Sequence, residues 1–284
     1  MADIILMAET GADIPKEVAE QYGIYIVPMH VQFGEITKDD GAFPQQELLD
    51  YYASTKKVPK TAGCNIKDFE KAFDEVHEKY PEKHILYMAY SAVTTCSFAS
   101  AQIAAEGRDY VSSVDTKQVT IGQCLAVVKT AQAIAEHPEW SVDECVAYAT
   151  EISARIHTCF IPNNLDFLRA GGRVSNVAAL CGNILGLHPL IDIKDGYLLA
   201  GKKYRGSLKR VVPQLFTEYI RKYDLDPGEI WAPYTIGFND DLKELAEESV
   251  KPLGVEKITW GYCGGVITSH GGPKAVGVVG ISRK

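Results

Sequence analysis

Two short stretches of this 284-residue chain hold side chains suited to polar chemistry. Thr268-Ser269-His270-Gly271-Gly272-Pro273 sets one imidazole among small residues, which reads as an exposed loop. Asn164 to Ser175, N-L-D-F-L-R-A-G-G-R-V-S, sets Arg173 behind two glycines. Leu165, Phe167 and Leu168 supply an apolar helix face, Gly171 and Gly172 can end that helix in a left-handed turn, and Ser175 can cap the next one. An imidazole exchanges protons with oxygen, and a guanidinium grips carboxylate or phosphate. Together they suggest a site for a polar head group.

Hydroxyls at two further places extend the set. The buried strand His84 to Tyr90 runs into Ser91-Ala92-Val93-Thr94-Thr95, and a helix starting near Cys96 would aim its first amides at an anion beside the Thr95 hydroxyl. Capping of that helix by Thr94 or Thr95, worth about 1 kcal/mol, explains the same residues. Thr61, a loop threonine before a helix, is open to both readings. His270 reads equally as a turn histidine bonded to backbone, and Arg173 and Arg205 as solvated residues. The cluster Lys202, Lys203, Arg205, Lys209 and Arg210 stands out in a chain of net charge −8 and suits a negatively charged partner or phosphate, although solvated faces of this kind are common.

Enzyme motifs are missing from the sequence. There is no G-x-x-x-x-G-K-[ST] phosphate loop, no G-x-S-x-G elbow and no H-E-x-x-H. Thr95 and His270 could form a hydroxyl–imidazole pair for a small-molecule ester hydrolase, but no acid is singled out to orient the base.

These residues must be positioned by alternating elements. Ile4 to Met7, a helix after Pro15, and Tyr25 to Met29 with Val31 to Phe33 form a β-α-β opening. Helices are expected over 45–54, 66–80, 96–107, 117–135 and 142–157, with strands at 84–90 and 110–114, a pattern that calls for a mainly parallel sheet covered by helices. After Cys159-Phe160-Ile161-Pro162 the pattern changes to a helix-corner-helix unit ending near Leu187, a hairpin about Asp195-Gly196, a helix over 208–223, a strand at 235–238, a helix over 240–250, and strands at 258–262 and 275–281. An N-terminal α/β domain over 1–160 and a C-terminal α+β domain over 161–284 are expected.

Composition bounds the rest. With 46% hydrophobic residues the chain can bury a large core. Its acidic balance, 37 acidic against 29 basic residues, argues against a nucleic-acid surface. The start, Met1 to Met7, reads as a strand and not as a secretory signal, and no run reaches the roughly 18 apolar residues of a spanning helix. Seven scattered cysteines without a C-x-x-C pair indicate neither a disulfide framework nor a zinc site, which fits a reducing cytoplasm.

Taken in order, the opening strand with Glu9-Thr10, the Thr61 loop, Ser91 to Ala101, Val114-Asp115-Thr116-Lys117, the Leu165 to Ser175 corner, Asp195-Gly196 with Arg205-Gly206, and His270-Gly271-Gly272-Pro273 resemble the DegV family, the lipid-binding B subunits of bacterial fatty acid kinases, over essentially the whole chain. The resemblance implies a two-domain α/β fold with a long-chain fatty acid enclosed between the domains. It implies that Thr61, Thr95 and His270 hold the carboxylate and that no cofactor is needed. It further implies a non-enzymatic subunit that presents the acid to a separate ATP-binding kinase subunit for acyl-phosphate formation in phospholipid synthesis. Arg173 and Arg205 are then candidates for contacting the kinase or the phosphate, and a transient membrane surface is a possible partner. The chain departs from the family pattern at Glu9-Thr10 for Asp-Ser, at Ala62-Gly63-Cys64 for Ser-Gln-Pro, at Cys96 for glycine, and at Lys274 for the last glycine of Gly-Pro-Gly. Threonine keeps the hydroxyl, Cys96 adds bulk and Lys274 adds charge. A DegV-fold protein with a drifted ligand is the alternative within the family.

Physics is compatible with a lipid carrier. At about 0.8 kcal/mol per buried CH₂, a tail of about sixteen carbons has a gross transfer term on the order of 12 kcal/mol before association costs. Each charge-assisted hydrogen bond at the head adds about 1.5–3 kcal/mol. The tail sets affinity and the head sets orientation.

Overall fold

The computed structural model describes residues 4–163, 165–175 and 186–283. In the first half, β1 (Ile4–Glu9), α1 (Lys16–Tyr22) and β2 (Tyr25–Val27) form the expected β-α-β opening. There follow β3 (His30–Phe33), β4 (Ile36–Asp39), α2 (Gln46–Thr55), β5 (Lys60–Ala62), α3 (Ile66–Lys79), β6 (His84–Ala89), α4 (Ser97–Ala104), β7 (Val111–Asp115), α5 (Thr120–Glu136) and α6 (Val142–Arg155). A parallel sheet runs in the order β2-β1-β6-β7, as the helix–strand alternation requires. Helix α3 shows how local sequence sets these elements: Asn65 and Asp68 form a capping box at its start, and Phe69, Ala72, Phe73 and Val76 at helical spacing are all buried.

The second half comprises β8 (Ile156–Ile161), α7 (Leu165–Gly171), β9 (Val174–Ser175), β10 (Leu187–Lys194), β11 (Tyr197–Arg205), α8 (Leu208–Tyr223), β12 (Trp231–Tyr234), α9 (Asp240–Val250), β13 (Thr259–Tyr262), α10 (Gly265–Gly271) and β14 (Val276–Ile281). Its strands make one mixed sheet, β13-β12-β14-β8-β10-β11-β9. Strand β8 already belongs to this sheet, so the change of sheet falls at Ile156, ahead of the expected boundary at 160. The hairpin about Asp195-Gly196 is present, with both residues in left-handed backbone (φ 48° and 83°). The second helix expected after Ser175 falls on residues 176–185, outside the described residues, and Ser175 itself ends β9.

Three readings change. Strands β4 and β5 pair with β3 in a small antiparallel sheet that the sequence reading left out, so Thr61 lies on a strand, opposite Val31, and not in a loop. The strand expected at 235–238 is instead β12, Trp231–Tyr234. Pro233, which lacks a ladder N–H, argues against a strand there, yet β12 is central, flanked by β13 and β14. Residues 235–238 form a turn closed by Phe238 N–H on Thr235 O at 3.1 Å. Finally, His270 is not on a loop but in α10.

Helix α5 is the middle layer of the molecule. Ile121, Cys124, Leu125 and Val128 pack in one buried cluster with Leu6, Leu86 and Met88 of the parallel sheet and with Ile156, Val279 and Ile281 of the mixed sheet. Small residues allow that closeness: a Cβ on Gly122 would stand 2.3 Å from Thr158 Oγ1, and one on Gly261 2.1 Å from Ile121 Cδ1. Polar ties cross the same layer. Gln118 Nε2 donates to Ile156 O at 2.9 Å, and Gln123 Nε2 to Glu9 Oε2 at 2.8 Å. Glu9, fully buried, also accepts from the Tyr87 hydroxyl and the Tyr90 N–H, while burial raises its carboxyl above the usual range. Its role is to tie β1, β6 and α5 together.

Candidate functional site

A narrow cavity lies between the two sheets, bordered by Met29, Tyr90, Val119, Phe160, Leu198 and Val276 among others. Its volume is about 70 Å³, a narrow slot and not a chamber. Thr61, Thr95, Arg173 and His270 all line it.

Three elements bring the polar side chains together. Thr61 projects from β5, and its Oγ1 lies 2.8 Å from His270 Nε2 at the end of α10. Thr95 follows β6, with its Oγ1 3.2 Å from Ser97 Oγ at the start of α4. Gly63 joins the two: a Cβ there would stand 2.2 Å from Thr95 Oγ1 and 2.7 Å from Ser97 Oγ, so the hydroxyls sit directly against the glycine. Ser97 Oγ in turn accepts from the Cys64 N–H at 3.0 Å. Helix α4 therefore starts beside the cavity, and Thr95 lines its wall with only a long 3.4 Å contact to the Ser97 N–H.

His270 is wedged. A Cβ on Gly171, the last residue of α7, would stand 2.3 Å from His270 Nδ1. That nitrogen is buried without a hydrogen-bond partner. Burial, and then the charge of Arg173, push the imidazole down to about 4, which keeps it neutral at neutral pH. Arg173 folds back on the corner, donating from Nη1 to Gly171 O at 2.8 Å. The hydrolase arrangement is not formed among the described residues. Nε2 faces Thr61 and not Thr95, and no carboxylate orients Nδ1.

Four other threonines line the wall, and their hydroxyls are already engaged. Thr94 Oγ1 donates to Ser91 O at 2.9 Å, Thr120 to Asp13 Oδ2 at 2.5 Å, Thr158 to Gln118 Oε1 at 2.8 Å and Thr235 to Gly272 O at 2.7 Å. With those protons spent on protein acceptors, this part of the cavity has no threonine donor left to offer. Thr61 and His270 pair with each other and Thr95 with Ser97, contacts between groups that can each donate or accept. No local sequence signal separates the two groups of threonines, because each acceptor is fixed by the fold.

Other expected residues lie at the periphery. Arg205 is exposed on β11 and does not line the cavity. Cys96 is exposed at the start of α4, and Lys274 takes a left-handed backbone (φ 60°) of the kind glycine adopts without strain, with its side chain against Gly237. Among the described residues there is no cluster of metal-ligating side chains, and no helix is long and apolar enough to cross a membrane.

Comparison with known proteins agrees with this architecture. The family model described as an uncharacterised protein of the DegV family matches residues 3–283. A DegV domain-containing protein from Deinococcus radiodurans is 28% identical over 285 residues, with 97% of each chain covered. A solved DegV family protein from Thermus thermophilus, described for its fatty acid binding, is similar in fold with a TM-score of 0.86 at 24% identity, covering 98% of this chain and 99% of that one. A stearic acid-binding protein from Eubacterium ventriosum gives 0.82 at 23% identity, covering 100% and 99%. A DegV family protein from Eubacterium eligens, loaded with heptadecanoic acid, gives 0.83 at 18% identity, covering 99% and 100%. With its matched region spanning nearly every residue and its fold shared from end to end, this chain belongs to the DegV family.

Proposed function

We propose that the slot between the sheets holds a long-chain fatty acid, with its carboxylate bound by Thr61, Thr95 and His270. The observation that carries this reading is the division of hydroxyls along the wall: Thr94, Thr120, Thr158 and Thr235 donate to protein acceptors, while Thr61, Thr95 and His270 stay together at one place. A carboxylate taken from water needs such donors, and an acyl tail needs the rest of the wall to make no polar demand. A neutral imidazole brings no second ionic partner, and with its Nε2–H donating to Thr61 Oγ1 the threonine proton is free for the carboxylate. The fatty acids bound by the solved relatives support the ligand class.

The protein then acts as a carrier, and its acid is phosphorylated on a separate ATP-binding kinase subunit. A carboxylate oxygen takes the γ-phosphoryl group of ATP, giving an acyl phosphate and ADP. The family resemblance supports this step, and the sequence carries no G-x-x-x-x-G-K-[ST] phosphate loop of its own. Arg173 at the cavity wall and Arg205, exposed at the end of β11, are the proposed contacts for the kinase or the transferred phosphate.

Native mass spectrometry followed by organic extraction tests the carrier reading. A stoichiometric long-chain acid in wild type, diminished in Thr95→Ala and His270→Ala with the fold retained, is the expected result. Unchanged lipid content and unchanged acyl-phosphate formation in both variants would remove the head-group assignment, and an empty cavity after gentle purification would point to a drifted ligand.

A further inference from the structure

Helix α10 carries His270 at one end, and at its other end two backbone N–H groups are taken by acids from the far side of the chain. Gly264 N–H donates to Asp13 Oδ1 at 2.6 Å, and Gly265 N–H donates to Asp40 Oδ1 at 2.7 Å. Asp13 is 9% exposed and Asp40 5%. Asp13 Oδ1 and both Asp40 oxygens lie within 3.3 Å of a single point, where a Cβ on Gly264 would stand, so two acids share one buried spot. Asp40 Oδ2 has no partner there.

The arrangement is built at a conformational cost. Thr120 Oγ1 donates to Asp13 Oδ2, and both residues hold left-handed backbone, φ 48° and 53°. A β-branched residue rarely takes that conformation, so the contact is held by its surroundings. A seven-residue helix does not sustain itself, and acids at its start oppose the partial positive charge of its free N–H groups.

We infer that Asp13 and Asp40 are positioning residues for the head-group site: they fix the start of α10 and thereby the contact of His270 Nε2 with Thr61 Oγ1 at its end. For the ligand this rests on the fatty acid reading above; for the imidazole it rests on geometry alone. The groups facing Asp13 are Asp40, the Thr120 hydroxyl, the Gly264 N–H, the thiols of Cys263 and Cys124, and the phenol of Tyr90, none of them a cation. Burial, with the charge of Asp40 adding, pushes the Asp13 carboxyl up to about 7. Below that value a proton relieves the repulsion between the two acids, and as pH rises through about 7 both carry charge and push apart at the start of α10.

The test uses hexadecanoic acid and hexadecan-1-ol, delivered from cyclodextrin, with calorimetry and the NMR signal of ¹⁵N-labelled His270 as readouts. Asp40→Ala is expected to weaken the acid by about tenfold and shift the His270 signal, leaving the alcohol unchanged. Asp40→Asn, which keeps an acceptor for the Gly265 N–H, restores both. Asp13→Asn abolishes the change in the His270 signal that wild type shows between about pH 6 and 8. Equal losses for acid and alcohol, an unmoved His270 signal in Asp40→Ala, or a pH change that persists in Asp13→Asn overturns the inference. If Asp40→Ala does not fold, the Asp13→Asn titration decides. A wild type that binds neither ligand sinks the fatty acid reading, and the His270 signal then decides positioning by itself.

Discussion

Placing one methyl group at Gly171 tests the site where it is tightest. The new Cβ would meet His270 Nδ1 at 2.3 Å, Cε1 at 3.2 Å and Cγ at 3.3 Å. Opening the first of these to an ordinary 3.4 Å contact requires a movement of about 1.1 Å, by α7 or by the ring. A ring movement of that size either compresses the 2.8 Å contact with Thr61 or turns it off its axis. Overpacking costs about 1–3 kcal/mol, which for a chain of this size lowers Tm by roughly 2–12 °C. Misplacing one charge-assisted hydrogen bond of about 1.5–3 kcal/mol lowers the affinity for hexadecanoic acid by about 10- to 150-fold. Gly172→Ala is the control, because Gly172 has φ 63° and an added Cβ meets nothing within 4 Å. It pays about 1–2 kcal/mol in backbone strain and leaves acid binding alone. Calorimetry and thermal melting on the two variants separate strain from crowding. Wild-type acid affinity in a folded Gly171→Ala would refute the reasoning, since an imidazole with room to spare is not held by this corner.

Thr61→Val and Thr95→Val keep side-chain shape but remove the hydroxyl, so each is expected to weaken hexadecanoic acid by about 10- to 150-fold and hexadecan-1-ol far less, read by calorimetry. Thr158→Val gives the reverse split: Gln118 Oε1 loses its 2.8 Å donor in a buried layer, stability falls by about 1–3 kcal/mol in urea melts, and acid affinity holds. Stability against pH carries two opposed contributions. His270 falls from 6.5 to about 4 on folding, so its share is complete above about 6.5 and is lost as pH drops toward 4; His270→Gln removes that acid-side slope. Asp13 rises from 3.8 to about 7, so its share is complete below about 3.8 and is lost as pH climbs toward 7; Asp13→Asn removes that slope, and Tm measured across the range separates the two.

Legibility in the sequence followed the range of the forces involved. Elements set by their own residues could be read directly: the capping box and apolar face of α3, the alternation that builds the parallel sheet, and the Asp195-Gly196 hairpin. Elements set from a distance could not. Strand β12 contains Pro233, and its place in the sheet comes from β13 and β14 on either side. Thr61 reads as loop because β5 is three residues long and is defined by its pairing with β3.

The same distinction explains why the expected site residues carry a local structure other than the one their neighbours suggest. His270 stands among glycines, and glycine-rich sequence reads as loop when only neighbours are considered. The start of its helix is bonded to two acids far earlier in the chain, Gly264 to Asp13 at a separation of 251 residues and Gly265 to Asp40 at 225. Loop and helix have different consequences for chemistry. An imidazole on a loop adapts to what it contacts, whereas one at the end of an anchored helix, with Gly171 behind it and Thr61 in front, presents a single orientation. Its precision then depends on Asp13, Asp40 and Gly171, none of which needs to touch the ligand, so substitutions there should alter head-group recognition while the tail, the larger part of the binding energy, still finds its slot.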